Sequence, residues 1–166
     1  HGQIYCYPFI TPTTEKLRLQ VSKTENFYET LLANEQGSPR ELMNTENFLA
    51  FVPFAARWPI EIQIVPKRHV SDLTELSEEE AEEFAGLYQK LLASLDKLYD
   101  SPTPYIAGIH QAPKNSPEVR LMAKITSPRR ASDKLKYLAG SESAMGAFIS
   151  DTTPEAIAEK IREVLN

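Results

Sequence analysis

Residues 60–98 constrain the fold more than any other stretch, because a strand pattern is followed after a short turn by a long, well-capped helix pattern. Ile60, Ile62 and Ile64 alternate with Glu61 and Gln63, the period-two spacing of a strand with one face buried and one in water. Ser77 and Glu80 then make a capping-box pair. Ala81, Phe84, Tyr88, Leu91, Leu95 and Leu98 follow at helical spacing to near Asp100. A helix with such a stripe must bury it, and a sheet containing the preceding strand is the surface it is expected to cover.

The remaining elements are read around that unit. Ile4 to Ile10 reads as an apolar strand edged by Pro8 and closed by Pro12, and Thr24 to Asn34 as a helix with Phe27, Leu31 and Leu32 on one face. The stretch between them is polar and weakly patterned. Gly37-Ser38-Pro39 breaks the helix, and Phe48 to Val52 is a second extended run, separated from Ile60 to Val65 by Trp58-Pro59. Pro104 to His110 and Val119 to Thr126 read as two more strands. Thr153-Pro154 starts a last helix carrying Ile157, Ile161 and Val164. Several antiparallel strands, one long helix, two strands and a helical tail predict an α+β fold.

At 166 residues the chain suits one domain with a core of its own. No apolar run is long enough to span a bilayer and none resembles a signal peptide, which makes the cytoplasm the expected location. A net charge of −5 disfavours a surface that neutralises many nucleic-acid phosphates. Small molecules and protein partners remain. The single cysteine, Cys6, excludes an internal disulfide and is expected as a small buried hydrophobe. Phe48, Phe51, Phe54 and Trp58 are expected in the core. By residue type alone, Arg129, Arg130, Lys134 and Lys136 would form the solvated face of a short helix.

The chain opens on His1-Gly2-Gln3-Ile4 without an initiator methionine, so it reads as a piece that starts inside a site. On a strand His1 and Gln3 would share one face, with Gly2 allowing a ligand or another backbone to come close. A tag remnant is the alternative, but Gly-Gln-Ile-Tyr leading into Pro-Phe-Ile-Thr-Pro is not tag sequence.

The strand at Ile60, the turn Pro66-Lys67-Arg68-His69 and the long helix resemble a histidine-triad type domain. The strand that should carry its alternating histidines reads Arg120-Leu121-Met122-Ala123-Lys124. With Met122 and Lys124 in its outward positions, it supplies no nucleophilic imidazole. His1-Gly2-Gln3, however, resembles the end of the His-Pro-His-Gly-Gln motif of galactose-1-phosphate uridylyltransferases, which consist of two tandem histidine-triad-like halves. Trp58-Pro59, Gly108-Ile109-His110-Gln111-Ala112-Pro113 and Lys136-Tyr137-Leu138-Ala139-Gly140-Ser141-Glu142 match the same family in order. The resemblance implies a histidine-triad-like antiparallel sheet with a long packed helix and a C-terminal helical tail. Residues 1–12 would hold the nucleophile strand and the end of an N-terminal domain, and residues 13–166 the C-terminal domain.

It also implies chemistry. His1 would attack the α-phosphorus of UDP-glucose and carry the uridylyl group covalently, a role suited to an imidazole that is neutral and nucleophilic near pH 7. Gln3 would donate its amide to a phosphoryl oxygen. Lys136, Tyr137, Gly140 and Glu142 fall in the segment that contacts the hexose phosphate, in some members across a dimer interface, with lysine on phosphate and glutamate on sugar hydroxyls. Ser141 stands where many members have tyrosine. Some members bind iron here through one carboxylate and three histidines. His110 occupies one such place, Met122 and Lys124 the other two histidine places, and Leu17, with Glu15 close by, the carboxylate place. One imidazole is not a metal site, so no metal and no cofactor is expected in this chain; His110 is expected to be held by local hydrogen bonds and His69 to have a capping or packing role. A cysteine-rich zinc site, found in the first half of some relatives, would lie outside these residues.

The expected partners are UDP-hexose, hexose-1-phosphate, an N-terminal half and a second copy in a homodimer, without nucleic acid or membrane. The chain alone is expected to be inactive. Two rival readings are a nucleotide phosphorylase or hydrolase of the same superfamily and a non-catalytic histidine-triad-like partner subunit.

Overall fold

The computed structural model describes residues 2–165. Its centre is β3 (Ile60–Pro66), which pairs antiparallel with β2 (Phe48–Phe51) on one side and β5 (Met122–Ser127) on the other. β1 (Glu41–Asn44) and β4 (Ile106–His110) form the edges, giving a five-stranded sheet in the order β1-β2-β3-β5-β4. β1 has no clear sequence signal: its four residues follow a turn and include Glu41 and Asn44, so pairing with β2 is what makes it a strand.

Two helices cover one face. α3 (Glu78–Lys97) begins at the expected capping box, with Ser77 Oγ accepting from the Glu80 amide at 3.2 Å and Glu80 Oε2 accepting from the Ser77 amide at 2.8 Å. Leu87, Leu91 and Leu95 of α3 pack on Ile60, Ile62, Ile64, Ala123 and Ile125, joined by Ile157, Ala158 and Ile161 of α5 (Pro154–Val164). Thr153 caps α5 by accepting from the Ala156 amide. Arg40 ties α5 down by bridging Glu35 at 3.0 Å and Glu155 at 2.9 Å.

The opposite face is also covered, which corrects the expectation of a wet face on β3. α1 (Pro12–Lys23) and α2 (Phe27–Glu35) lay Leu17, Val21, Phe27, Leu31 and Leu32 over Leu49, Phe51, Val65 and Met122. Tyr28 is buried beneath them, its hydroxyl accepting from the Arg120 amide at 3.0 Å. α1 occupies the stretch read as unpatterned, because Leu17 and Val21 make only a narrow stripe among polar neighbours. Gly37, at φ +71°, gives the left-handed turn after α2 that a side chain would strain.

Residues 4–10 are not a strand. Ile4 is 94% exposed and Cys6 is exposed, contrary to its expected burial. Side chains two apart still meet: Tyr5 donates to the Gln3 side-chain carbonyl and stacks on Tyr7 with ring centres 6.2 Å apart. Among the described residues no helix is long and apolar enough to cross a membrane.

Candidate functional site

His1 lies outside the described residues. Gln3 is exposed, and with its carbonyl taken by Tyr5 its amide NH2 is the group left to donate. Among the described residues a side chain on Gly2 would meet nothing within 4 Å.

The segment after β5 has a different local structure from the one read by residue type. β6 (Arg129–Ala131) and β7 (Lys134–Leu135) form a small hairpin, so Arg129, Arg130 and Lys134 do not line a helix. Lys136 follows directly, and its ammonium is committed inside the protein. It lies 2.5 Å from Glu142 Oε1 and donates to the carbonyls of Arg57 at 3.0 Å and Ile149 at 2.7 Å. Glu142, on the short helix α4 (Gly140–Met145), also accepts from the amides of Ala139 at 2.7 Å and Ile149 at 3.1 Å. The Lys136 and Glu142 side chains are 8% and 2% exposed. Phe148 closes the cluster, with the Arg57 guanidinium 5.5 Å and the Lys136 ammonium 5.9 Å from its ring centre.

This clip leaves two of the four residues open to a ligand. Tyr137 is 85% exposed, and Gly140 faces open space. Among the described residues the buried Ser141 hydroxyl has no hydrogen-bond partner. Lys136 and Glu142 therefore shape the segment, and Tyr137 projects from it. Among the described residues no hydrogen bond or ion pair joins Gln3 to this segment.

The Lys136 hydrogen bond, followed by those from the Ala139 and Ile149 amides, holds the Glu142 carboxyl at about 2, below its ordinary 4.5. Arg68, followed by the Ser77 amide, holds Glu80 at about 2 in the same way. A carboxylate whose pKa folding lowers stabilises the fold above its unfolded value, and that contribution disappears as pH falls through the folded value. Stability should therefore fall between about pH 4.5 and pH 2. Glu142→Gln should flatten part of that slope, as read from urea denaturation at a series of pH values.

The other expected residues meet at a cavity of about 240 Å³ between α1, α2 and the sheet. Met122 and Lys124 point into it, so they face the helices and not open solvent, and Met122 is 5% exposed. His110 folds back over Gly108: a side-chain carbon there would sit 3.1 Å from its Nε2. Partial desolvation, with the Lys124 charge second, pushes the His110 imidazole below its ordinary pKa, although the residue keeps an exposed edge. No hydrogen bond holds its ring among the described residues, contrary to the local bonding expected. Leu17 lines the cavity, whereas Glu15 is engaged by Arg18 at 2.8 Å. Among the described residues no three His, Cys, Asp or Glu side chains gather as metal ligands would. His69 is exposed, with Nε2 3.3 Å from Ser71 Oγ. Phe48 and Phe51 are buried and Trp58 is half-buried, but Phe54 is 76% exposed beneath the Arg40 guanidinium. Gln63, Gln111 and Arg120 also line the cavity. Gln63 sits in the polar register of β3, which looked like a solvent face.

A family profile described as the galactose-1-phosphate uridyl transferase C-terminal domain matches residues 19–165. The chain belongs to that family. It is 38% identical to a galactose-1-phosphate uridylyltransferase of Thermotoga maritima over 98% of its own length and 54% of the relative's. With the Streptomyces lividans enzyme of the same name it shares 34% identity over 99% of this chain and 51% of that one. The chain thus spans about half the length of these curated relatives. A solved uridylyltransferase mutant superposes with a TM-score of 0.85 at 33% identity, covering 95% of this chain and 54% of the other. An ADP-glucose phosphorylase from Arabidopsis thaliana gives 0.78 at 26% identity, covering 95% and 51%. A zinc-bound histidine triad family protein from Mycobacterium smegmatis gives 0.51 at 19% identity, covering 90% and 91%, a likeness of fold alone. The expected histidine-triad-like α+β class agrees with these neighbours and with the sheet.

Proposed function

We propose that this chain is the C-terminal part of a UDP-glucose:hexose-1-phosphate uridylyltransferase acting in galactose metabolism. The observation that carries the reading is similarity to galactose-1-phosphate uridylyltransferases along almost the whole chain. In the first half-reaction the His1 imidazole attacks the α-phosphorus of UDP-glucose. A nitrogen–phosphorus bond forms, and glucose-1-phosphate leaves with the electrons of the broken phosphorus–oxygen bond. In the second, a phosphate oxygen of another hexose-1-phosphate attacks the same phosphorus, releasing UDP-hexose and restoring the imidazole. Gln3 donates its amide to the phosphoryl oxygen on which charge grows. Tyr137 and Gly140 meet the hexose phosphate, and the Lys136–Glu142 clip positions them. The active protein includes an N-terminal half, works in the cytoplasm as a homodimer, and needs no cofactor from this chain.

A second reading is a nucleotide phosphorylase, favoured by the likeness to the ADP-glucose phosphorylase. The protein carrying its N-terminal half separates them when it is loaded with uridylyl-labelled UDP-glucose and then offered galactose-1-phosphate or inorganic phosphate. Labelled UDP-galactose is the expected product, and label released as UDP by phosphate would favour the phosphorylase. Tyr137→Ala should raise KM for galactose-1-phosphate about tenfold, equivalent to about 1.4 kcal/mol of lost binding, and an unchanged KM would remove Tyr137 from the acceptor site.

A further inference from the structure

We propose that the cavity between the sheet and helices α1 and α2 binds a small carboxylate with an apolar body, held by the Lys124 ammonium. At about 240 Å³ it falls just below the range of small-molecule pockets, about 300–1,000 Å³, so its ligand is small. The pleat sets its floor: Gln63 of β3 lies opposite Lys124 of β5, which lies opposite Gly108 of β4, with the His110 ring folded over that glycine. Leu17 of α1 and Phe27 and Leu31 of α2 form the wall. A ligand that satisfies both sides is polar at one end and apolar at the other.

Charge matching selects the polar end. Among the described residues the half-buried Lys124 ammonium makes no hydrogen bond or close ion pair. The carboxylate that acts on it, Glu61, is already engaged by the Arg57 amide at 2.8 Å and the Arg57 guanidinium at 3.7 Å. Arg120, the second cation at the cavity, is matched by Glu29 and donates to the Lys67 carbonyl at 3.1 Å. Its guanidinium also lies 4.8 Å from the Tyr28 ring centre, in a residue only 7% exposed. One unmatched cation suits a monoanion. A doubly charged phosphate would carry an uncompensated charge into a half-apolar site.

The test is a titration of the ¹⁵N-labelled chain with benzoate and, separately, with benzyl alcohol, following amide shifts. Saturable shifts centred on Leu31, Gly108, His110 and Lys124 are expected with benzoate. Benzyl alcohol should bind at least about tenfold more weakly, and Lys124→Met should remove the preference for benzoate. Equal binding of the two probes, benzoate binding that survives in the variant, displacement by equimolar inorganic phosphate, or no saturable shift would each overturn the proposal.

Discussion

His1→Ala, made in the protein that carries its N-terminal half, should abolish uridylyl transfer, with kcat falling by about 10⁴-fold or more, as when a covalent nucleophile is removed. Affinity for UDP-glucose should change little, because the imidazole contributes to bond making more than to ground-state binding. The chain has three histidines, and the other two have different surroundings. His69 lies exposed beside Ser71, and His110 is turned over Gly108 at the exposed edge of the cavity. His69→Ala and His110→Ala should therefore retain the covalent uridylyl adduct, whereas His1→Ala should lose it. Mass spectrometry after brief exposure to UDP-glucose reads the adduct directly. An adduct that persists in His1→Ala would move the nucleophile elsewhere.

Leu91→Ala should destabilise the fold by about 3 kcal/mol, within the span of about 2–5 seen for leucines in packed cores. Leu91 is fully buried near the middle of α3, among Ile60, Ile62 and Ile64 of the central strand and Ile157 and Ile161 of α5. That site joins both covering helices to the sheet, so shortening the side chain leaves a void that neither helix can fill without losing other contacts. Leu19, 38% exposed on α1, is the comparison: Leu19→Ala should stay within about 0.5 kcal/mol. Urea denaturation of the two variants measures the difference, and similar midpoints would mean that the core relaxes around position 91.

The sequence alone determined what depends on chain neighbours. The Ser77–Glu80 box marked the start of α3, Thr153-Pro154 the start of α5, and the spacing of Ile60, Ile62 and Ile64 a strand face, because caps and pleats operate over a few residues. The ordered family motifs were legible for the same reason. Tertiary structure decided what lies opposite each residue. Glu61 is 2% exposed despite its polar register, because Arg57 supplies its partner. Residues 4–10 read as an apolar strand but pair with no other strand among the described residues, and a strand needs a neighbour to satisfy its backbone. Lys136 and Glu142 read as contacts for a sugar phosphate, and only the fold shows that their charges also meet each other. Local patterns fix secondary structure through contacts a few residues away, whereas burial and charge pairing depend on which distant segment folds against them.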